Sequence, residues 1–245
     1  MRKLALRIDD IGASTKQFNY YSKNRFCNFG ILRHRKLFGA WAPYNEMTPI
    51  TWRELFELLH EFDAKLTVAI TATWVEKNGD LKPFHLKFPV QAEILKSGVK
   101  KGFIEIANHG LTHCVTAEKS YKPKIFGSVR RYHREFWDWI DDEVHFNHLQ
   151  DSQNILQDFF EEKIHILVPP GNVYADQTIK AASNLGINLI NCQTENKIIS
   201  GVKVLGNENV LDFHDREIVL HGIKWLREKL LEYTTGQEFC FVSEL

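Results

Sequence analysis

Apolar residues recur along this chain with two different periods, and the alternation between them predicts strands that are followed by helices. Short apolar runs bounded by polar or turn residues are typical of buried strands, and apolar residues three or four positions apart are typical of helices. The predicted strands are Lys3–Ile8, Lys65–Ile70, Phe103–Ala107, His165–Val168, Ile187–Ile190, Val202–Leu205, Val210–Phe213, Ile218–Leu220 and Glu238–Val242. The first predicted helix starts at Thr51. The others are Pro89–Lys100, Val129–Ile140, Asp151–Phe160, Ala175–Leu185 and Ile223–Tyr233. This order favours a parallel α/β sheet or barrel.

Local end signals support several of these helices. Thr51 is predicted to cap the first one, because Glu54 lies three residues later in a capping-box arrangement. Pro89 opens the second helix, and Gly102 follows its end. Gly186 is predicted as the C-terminal cap of the helix that begins near Ala175.

Two segments interrupt the alternation. Residues 116–162 break the pattern and are interpreted as a helical insertion that covers one end of the sheet. Residues 13–46 form a long aromatic and basic segment, and such segments in a compact domain are usually functional or disordered. A solvated charged face is one interpretation; the other is a phosphate contact for an activated sugar, with Trp41 as a stacking platform.

No linker divides the chain, so residues 1–245 are predicted to form a single domain.

Charge and cysteine content narrow the class of protein. Lys and Arg number 31, as do Asp and Glu, and this balance argues against a nucleic-acid-binding protein, which needs a basic surface. The four cysteines are scattered, so a disulfide framework is not expected and a reducing compartment fits better. The N-terminus lacks the pattern of a signal peptide, and no apolar run reaches the roughly 20 residues that span a bilayer. We therefore expect a cytoplasmic protein.

The strongest candidate chemistry follows the strand Phe103–Ala107, where His109 and His113 lie four residues apart. If the loop curls through one helical turn, both imidazoles face one side and can share a metal ion, and Gly110 permits a sharp turn. Two solvated histidines are the alternative. Asp9 and Asp10 follow the first strand, and histidines with a carboxylate are the usual ligands of a catalytic zinc.

Four predicted strands end in polar or turn residues. These ends are Asp9-Asp10, His109 with His113, Pro169-Pro170-Gly171 and His221. In a (β/α) barrel the carboxyl ends of the strands share one rim, where active sites are built. We therefore expect these groups to be neighbours in the fold.

These motifs resemble those of the polysaccharide deacetylase family, the NodB-homology carbohydrate esterases. The Asp-Asp pair, the His-x-x-x-His motif, the proline-rich turn and Leu220-His221 each resemble a motif of that family, and the C-terminal segment from Gly236 resembles its final strand. The resemblance covers nearly the whole chain apart from the two interrupting segments. It implies a distorted (β/α)7 barrel of the α/β class and a divalent metal, commonly zinc.

The resemblance also implies roles for individual residues. It implies Asp10, His109 and His113 as metal ligands, Asp9 as the general base and His221 as the general acid. The candidates for oxyanion and substrate binding are Pro170, Gly171, Asn172, Tyr174 and Trp41, and a backbone N–H of Gly171 or Asn172 is the candidate oxyanion donor.

The chain departs from the family pattern at three points. The tyrosine usual in the proline-rich motif is missing between Pro170 and Gly171, although Tyr174 is near. Val168 stands where the family has an arginine that orients the base. The acidic motif that tunes the acid histidine has no clear match, although Asp212, Asp215 and Glu217 are nearby.

Three functions are compatible with these residues. The first is a metal-dependent hydrolase that removes an N-acetyl group from a sugar nucleotide or lipid-linked sugar during the biosynthesis of a surface polysaccharide such as lipopolysaccharide. The second keeps the metal site but acts on another amide or imide, as a deformylase does. The third is a catalytically silent, sugar-binding relative, which the missing arginine suggests.

Overall fold

A sheet of mainly parallel strands makes up the centre of the fold. The computed structural model describes residues 2–18, 44–116, 134–233 and 236–245. The strands are β1 (Arg2–Ile11), β2 (Leu66–Ile70), β3 (Thr73–Val75), β4 (Leu81–Pro83), β5 (Ile104–Asn108), β6 (Ile166–Leu167), β7 (Leu189–Asn191), β8 (Lys197–Ile199), β9 (Val202–Leu205), β10 (Val210–His214) and β11 (Gln237–Cys240). The helices are α1 (Thr15–Phe18), α2 (Pro49–Glu61), α3 (Phe84–Lys87), α4 (Pro89–Lys100), α5 (Asp142–Phe160), α6 (Asp176–Asn184), α7 (Asp215–His221) and α8 (Ile223–Tyr233).

The main sheet is curled and open. Its strand order is β10-β1-β2-β5-β6-β7-β9-β8, with β8 antiparallel to β9 and the other neighbours parallel. β1 pairs with three strands. β2 lies along one edge of β1, and the other edge pairs with β11 up to Ala5 and with β10 from Ala5 onward. This arrangement confirms the predicted α/β fold of the distorted-barrel type.

Helices α2 and α4 cover the sheet with apolar faces. β2 is buried along its whole length, and the central residues of β1 are buried as well, as expected for strands covered on both sides. Trp52, Leu55 and Leu59 of α2 are buried in the core cluster that also contains Leu6 and Ile8 of β1. Burying such side chains stabilises the fold by about 1.5–3 kcal/mol each.

Most of the predicted helix positions agree with the structure, and those of α4 and α8 agree to the residue. The predicted cap at Thr51 is wrong by three positions. Helix α2 begins at Pro49, and the side chain of Thr48 accepts the backbone N–H of Thr51 at 3.1 Å. Proline at the first helical position fits because that position needs no N–H donor. A threonine suits the cap wherever the chain first turns into the helix, so the sequence alone did not distinguish the two threonines.

Two further assignments are corrected. The predicted strand Ile218–Leu220 is wrong: these residues belong to helix α7, whose first turn carries Asp215 and Glu217. Acidic residues in the first turn stabilise a helix through its dipole, and three apolar residues do not outweigh them. In the predicted helix Val129–Ile140, residues 134–140 are irregular and residues 129–133 lie outside the described ranges, while the next helix is longer than predicted.

Within the described ranges, no helix combines the length and the apolar character that crossing a bilayer requires. The assignment of residues 1–245 to a single domain stays a prediction.

Candidate metal centre

Two parallel strands on either side of β2 bring the candidate ligands together. β1 pairs with β2, and β2 pairs with β5, so the carboxyl ends of β1 and β5 lie at the same rim. The register of β1 shifts between Ile8 and Ile11, and Asp10 adopts a left-handed backbone with φ 68°. This local irregularity separates the directions of the two neighbouring carboxylates. His109 follows β5 directly, and His113 has φ 62°.

The side chains of Asp10, His109 and His113 converge. Oδ1 of Asp10 lies 3.2 Å from Nε2 of His109 and 3.0 Å from Nε2 of His113. One ligand atom from each residue lies within 4.8 Å of the others. Both histidines are buried, and Asp10 is partly exposed, so the cluster opens to solvent on the carboxylate side. Three such ligands leave a further coordination position for water or substrate.

The surroundings of the two histidines fix which nitrogen is available. Nδ1 of His109 lies 2.6 Å from the carbonyl oxygen of Val168 and must donate to it, which leaves the Nε2 lone pair free to bind a metal. Nδ1 of His113 lies 3.3 Å from the hydroxyl of Thr15. The three side chains are of the types that bind zinc, they converge, and each histidine has a contact at its other ring nitrogen. These features fit a divalent ion such as zinc.

The charge of Asp10 is also suited to metal binding. Burial by itself raises the pKa of Asp10. The charges of His113 and His214 and the hydrogen bonds from the imidazoles outweigh that effect and hold the pKa well below its usual value. Asp10 is therefore an anionic ligand at neutral pH.

Asp9 is held by a buried arginine that the sequence analysis did not single out. Arg7 lies two residues earlier on β1, so both side chains point to the same face of the sheet. Its Nε donates to Oδ1 of Asp9 at 2.8 Å, and its Nη2 donates to Oδ2 at 2.7 Å. Nη1 donates to Asn191 and, at 3.2 Å, to Asn207. Arg7 is fully buried and thus holds the carboxylate in one orientation through two bonds.

This ion pair keeps Asp9 charged. Burial by itself raises the pKa of Asp9, but the Arg7 charge and its hydrogen bonds outweigh burial and lower the pKa below its ordinary value. Arg7 thus makes the kind of contact to Asp9 that the resemblance assigns to the arginine missing at Val168. The signal was available in the sequence, because an arginine two residues before the Asp pair, in an otherwise apolar strand, requires a buried anionic partner.

The expected placement of His221 is not supported. His221 is the exposed last residue of helix α7, rather than the end of a strand. His214 takes that position, since it ends β10 and pairs in register with Asp9. The side chain of His214 is 48% exposed. Partial desolvation lowers its pKa, but the carboxylates of Asp10 and Asp9 outweigh this and raise the pKa above its ordinary value. The signal in the sequence was the run Val210–Phe213, which His214 follows directly.

The proline-rich turn lies next to the candidate metal ligands, because Val168, which precedes it, contacts His109. Residues Pro170–Asn172 form a short 3-10 turn after β6, with positive φ at Gly171 (61°) and Asn172 (57°). The backbone N–H of Asn172 donates to the carbonyl of Pro169 at 2.9 Å, so it is not a free oxyanion donor. Gly171 therefore remains the better of the two candidates. Tyr174 packs beside the smaller core cluster, with Lys197 Nζ 5.4 Å from its ring centroid.

The three acidic residues near the predicted acid have separate partners. Asp212 lies 3.6 Å from Arg7, and Glu217 accepts the backbone N–H of His214 at 2.9 Å. Asp215 is buried and accepts from Lys16. These contacts do not single out one of the three as the acidic residue that would tune the acid histidine. Trp41 lies outside the described residues.

A buried charge cluster ties α1 to α7. Lys16 bridges Asp215 and Glu46, with 2.6 Å to the Glu46 oxygen, and the Tyr44 hydroxyl donates to Asp215 at 2.7 Å. Burial raises the pKa of Asp215 to about 7; Glu46 and Asp10 add to this and Lys16 opposes it. The cluster holds both ends of the segment that joins α1 to α2.

A cleft of about 1260 Å³ lies beside this cluster. Its walls include Ser14, Tyr44, Glu46 and Trp74. None of the three candidate metal ligands is among its lining residues, but Ser14 precedes Thr15, which contacts His113. Ser14 Oγ and Glu46 Oε1 are buried and have no hydrogen-bond partner among the described residues. Such polar groups on a cleft wall can bind hydroxyl groups of a ligand.

Comparison with known proteins adds a family and a fold. A family model described as "Polysaccharide deacetylase" matches residues 41–190, which is more than half of the chain. No match to a curated protein sequence was found.

Solved structures share the fold at low sequence identity. A putative polysaccharide deacetylase from Mycobacterium smegmatis matches with a TM-score of 0.60 and 12% identity, over 100% of this chain and 89% of that chain. A CE4 family pseudoenzyme from Bacillus anthracis matches with a TM-score of 0.52 and 15% identity, over 100% of this chain and 65% of that chain. A mutant described as a pseudoenzyme with restored enzymatic activity matches with a TM-score of 0.52 and 14% identity, over 100% of this chain and 67% of that chain. This chain thus spans about two thirds of the length of the pseudoenzyme structures.

Proposed function

The chain belongs to the polysaccharide deacetylase family, and on that premise we propose that it is a metal-dependent hydrolase that removes the acetyl group from an N-acetylated sugar. The observation that carries the proposal is the convergence of Asp10, His109 and His113 beside an ionised Asp9. The substrate we propose is a sugar nucleotide or a lipid-linked sugar used to build a surface polysaccharide. The cytoplasmic location expected from the sequence stays a prediction.

The proposed mechanism assigns one task to each group. A divalent ion held by Asp10, His109 and His113 would polarise the acyl carbonyl and acidify water. Asp9 accepts a proton from the attacking water, and the two bonds from Arg7 keep its carboxylate aimed. The N–H of Gly171 donates to the developing oxyanion.

A proton donor is needed for the departing amine. The nitrogen of an amide leaves as an amine only when it gains a proton, so a donor must face it. His214 ends the strand next to Asp9, and the nearby carboxylates favour its protonated form. We therefore propose His214, in place of His221, as the general acid. Neighbouring sugar units would bind along the cleft lined by Ser14 and Glu46.

The buried Arg7 favours an enzyme over a silent binding relative. The absence of an arginine at Val168 was the reason to consider loss of activity, and Arg7 supplies an equivalent contact to the base. A sugar-binding module would not need an ionised carboxylate held beside three convergent metal ligands.

The test combines metal analysis with turnover of acetylated and formylated sugars. We expect near-stoichiometric divalent metal in the wild type, loss of that metal in the His109→Ala/His113→Ala double variant, and acetate release from N-acetylated sugar nucleotides. The matched control is His165→Ala, which removes an exposed imidazole and should leave the metal content unchanged.

Asp9→Asn separates the chemistry from the metal site. It should retain the metal and lose about 10²–10⁴-fold in kcat, the range that one general base contributes. Unchanged turnover in this variant would overturn the role of Asp9. A wild type that binds no metal after reconstitution would overturn the hydrolase, and release of formate alone would favour the deformylase.

A further inference from the structure

The insertion at residues 116–162 was expected to cover one end of the sheet, but its described part reaches the metal-binding loop. Glu135 is buried, with 2% of its surface exposed, although no helix or strand contains it. A buried carboxylate is costly unless several donors surround it. The donors of Glu135 therefore show what holds it in place.

Those donors are three consecutive backbone N–H groups of the loop between the two histidines. Oε1 of Glu135 accepts from Leu111 at 3.0 Å, and Oε2 accepts from Thr112 at 3.2 Å and from His113 at 2.9 Å. On its other side Glu135 lies 2.6 Å from Nδ1 of His148 on α5. The carboxylate thus fixes the backbone that presents the second histidine of the metal cluster.

The loop needs such support because its backbone is strained. His113 has φ 62°, and a left-handed conformation is unfavourable for a residue with a side chain. Gly110 has φ 81°, and a Cβ built on it would lie 2.1 Å from Oε2 of Glu135. The glycine between the two histidines therefore leaves the space that Glu135 occupies.

The residues on either side of Glu135 make related contacts. A Cβ on Gly171 would lie 2.6 Å from Nε of Arg134, so this arginine packs closely on the proline-rich turn. Phe136 is fully buried in the smaller core cluster and anchors the segment. Residues 134–136 thus contact both loops that border the candidate metal centre.

We propose that Glu135 is a positioning residue that holds the loop Gly110–His113 in its metal-binding conformation, so that metal affinity depends on a residue of the insertion. The inference rests on the proposed function, because it requires that Asp10, His109 and His113 bind the metal. It assigns to the insertion a role in building the metal site, in addition to covering the sheet.

The experiment measures Zn²⁺ affinity by competition with a chromophoric chelator, for the wild type, Glu135→Ala and Glu135→Gln. Loss of an outer partner of a metal ligand typically weakens metal binding about 10–100-fold, and we expect Glu135→Ala to fall in that range. Glu135→Gln keeps one acceptor oxygen for the loop and should lose less. His148→Asn should weaken binding least, since the three backbone donors remain.

The matched control is Glu105→Gln. Glu105 is a partly buried carboxylate that accepts from the Thr67 hydroxyl at 2.8 Å, and it belongs to β5, the strand that leads into the metal-binding loop. This substitution removes the same charge and should leave Zn²⁺ affinity unchanged. The visible spectrum of the Co²⁺-loaded protein reports ligand geometry, and it should change in the Glu135 variants and not in the control.

The outcomes are distinct. Equal Zn²⁺ affinity and equal Co²⁺ spectra for the wild type and both Glu135 variants would overturn this inference and leave the proposed function standing. A wild type that binds neither ion would overturn both. If Glu135→Ala does not fold, the Gln variant decides, because it preserves the volume and one hydrogen-bond acceptor.

Discussion

The buried pair of Arg7 and Asp9 gives a prediction that joins stability to the proposed chemistry. Arg7→Met removes the cation and leaves the Asp9 carboxylate, whose side chain is only 7% exposed, without its two strongest donors. Removing one partner of a buried ion pair typically costs about 3–5 kcal/mol, because the remaining charge is uncompensated. We expect a loss of that size in the free energy of unfolding.

The second half of the prediction concerns the double variant. In Arg7→Met/Asp9→Asn the buried Asp9 charge is removed together with its cation, so the loss should be smaller than the sum of the two single losses by about 1–3 kcal/mol. Urea denaturation of the wild type, both single variants and the double variant measures this coupling. The matched control is Arg2→Met on the same strand, whose bonds to Asn209 are exposed; its loss should stay within about 0.5 kcal/mol.

Turnover provides an independent readout of the same contact. Arg7→Lys keeps the charge but cannot form two parallel N–H bonds to one carboxylate. We expect normal metal content and a kcat about 10–100-fold lower, the range found for partners that orient reacting groups. Additive losses in the stability cycle, together with wild-type turnover in Arg7→Lys, would refute the view that Arg7 holds Asp9.

Three further predictions follow from the site and its supports. His214→Gln should lower kcat about 10²-fold or more, while His221→Gln should stay near wild type; equal effects in steady-state assays would contradict the assignment. Because the pKa of Asp215 is raised to about 7 in the folded protein, the stability that this carboxyl contributes is present below its unfolded pKa and lost as pH rises through about 7. Melting temperatures between about pH 4 and 8 should therefore fall more for the wild type than for Asp215→Asn, and parallel curves would refute this. Gly12→Ala should cost about 2–4 kcal/mol in urea denaturation, because φ is +74° and a methyl group would lie 2.7 Å from a ring carbon; Gly79→Ala, with open space around it, should cost clearly less.

Local patterns were sufficient for much of the fold. The apolar period and the flanking Pro and Gly residues located α4 and α8, and short apolar runs located β2 and β9 within a residue. The candidate metal ligands were also visible locally, since His109 and His113 share one loop and Asp10 lies near the end of β1. In each case the deciding interactions lie within a few positions of the residue itself.

The prediction that His221 ends a strand was wrong because local signals were ambiguous there. Two short apolar runs, Val210–Phe213 and Ile218–Leu220, each precede a histidine, and a short apolar run does not distinguish a strand from a helix. Pairing with β1 settles the matter, because Val210 to His214 pair in register with Ala5 to Asp9. Ala5–Asp9 already pair with β10 along that edge of β1, so a second strand cannot pair with the same residues there.

The sequence by itself determined the fold class, the histidine pair and the Asp pair, because each depends on residue type and short spacing. The family resemblance then implied Asp10 as the metal ligand and Asp9 as the base. Only the tertiary structure decided what supports them. Arg7 was visible as a charged residue in an apolar strand, but its partners Asn191 and Asn207 lie about two hundred residues away. Glu135 meets the loop of His113 only because the insertion folds back over the rim. A buried charge is stable only where the packed chain surrounds it with matching donors or acceptors, and that match is a property of the assembled fold.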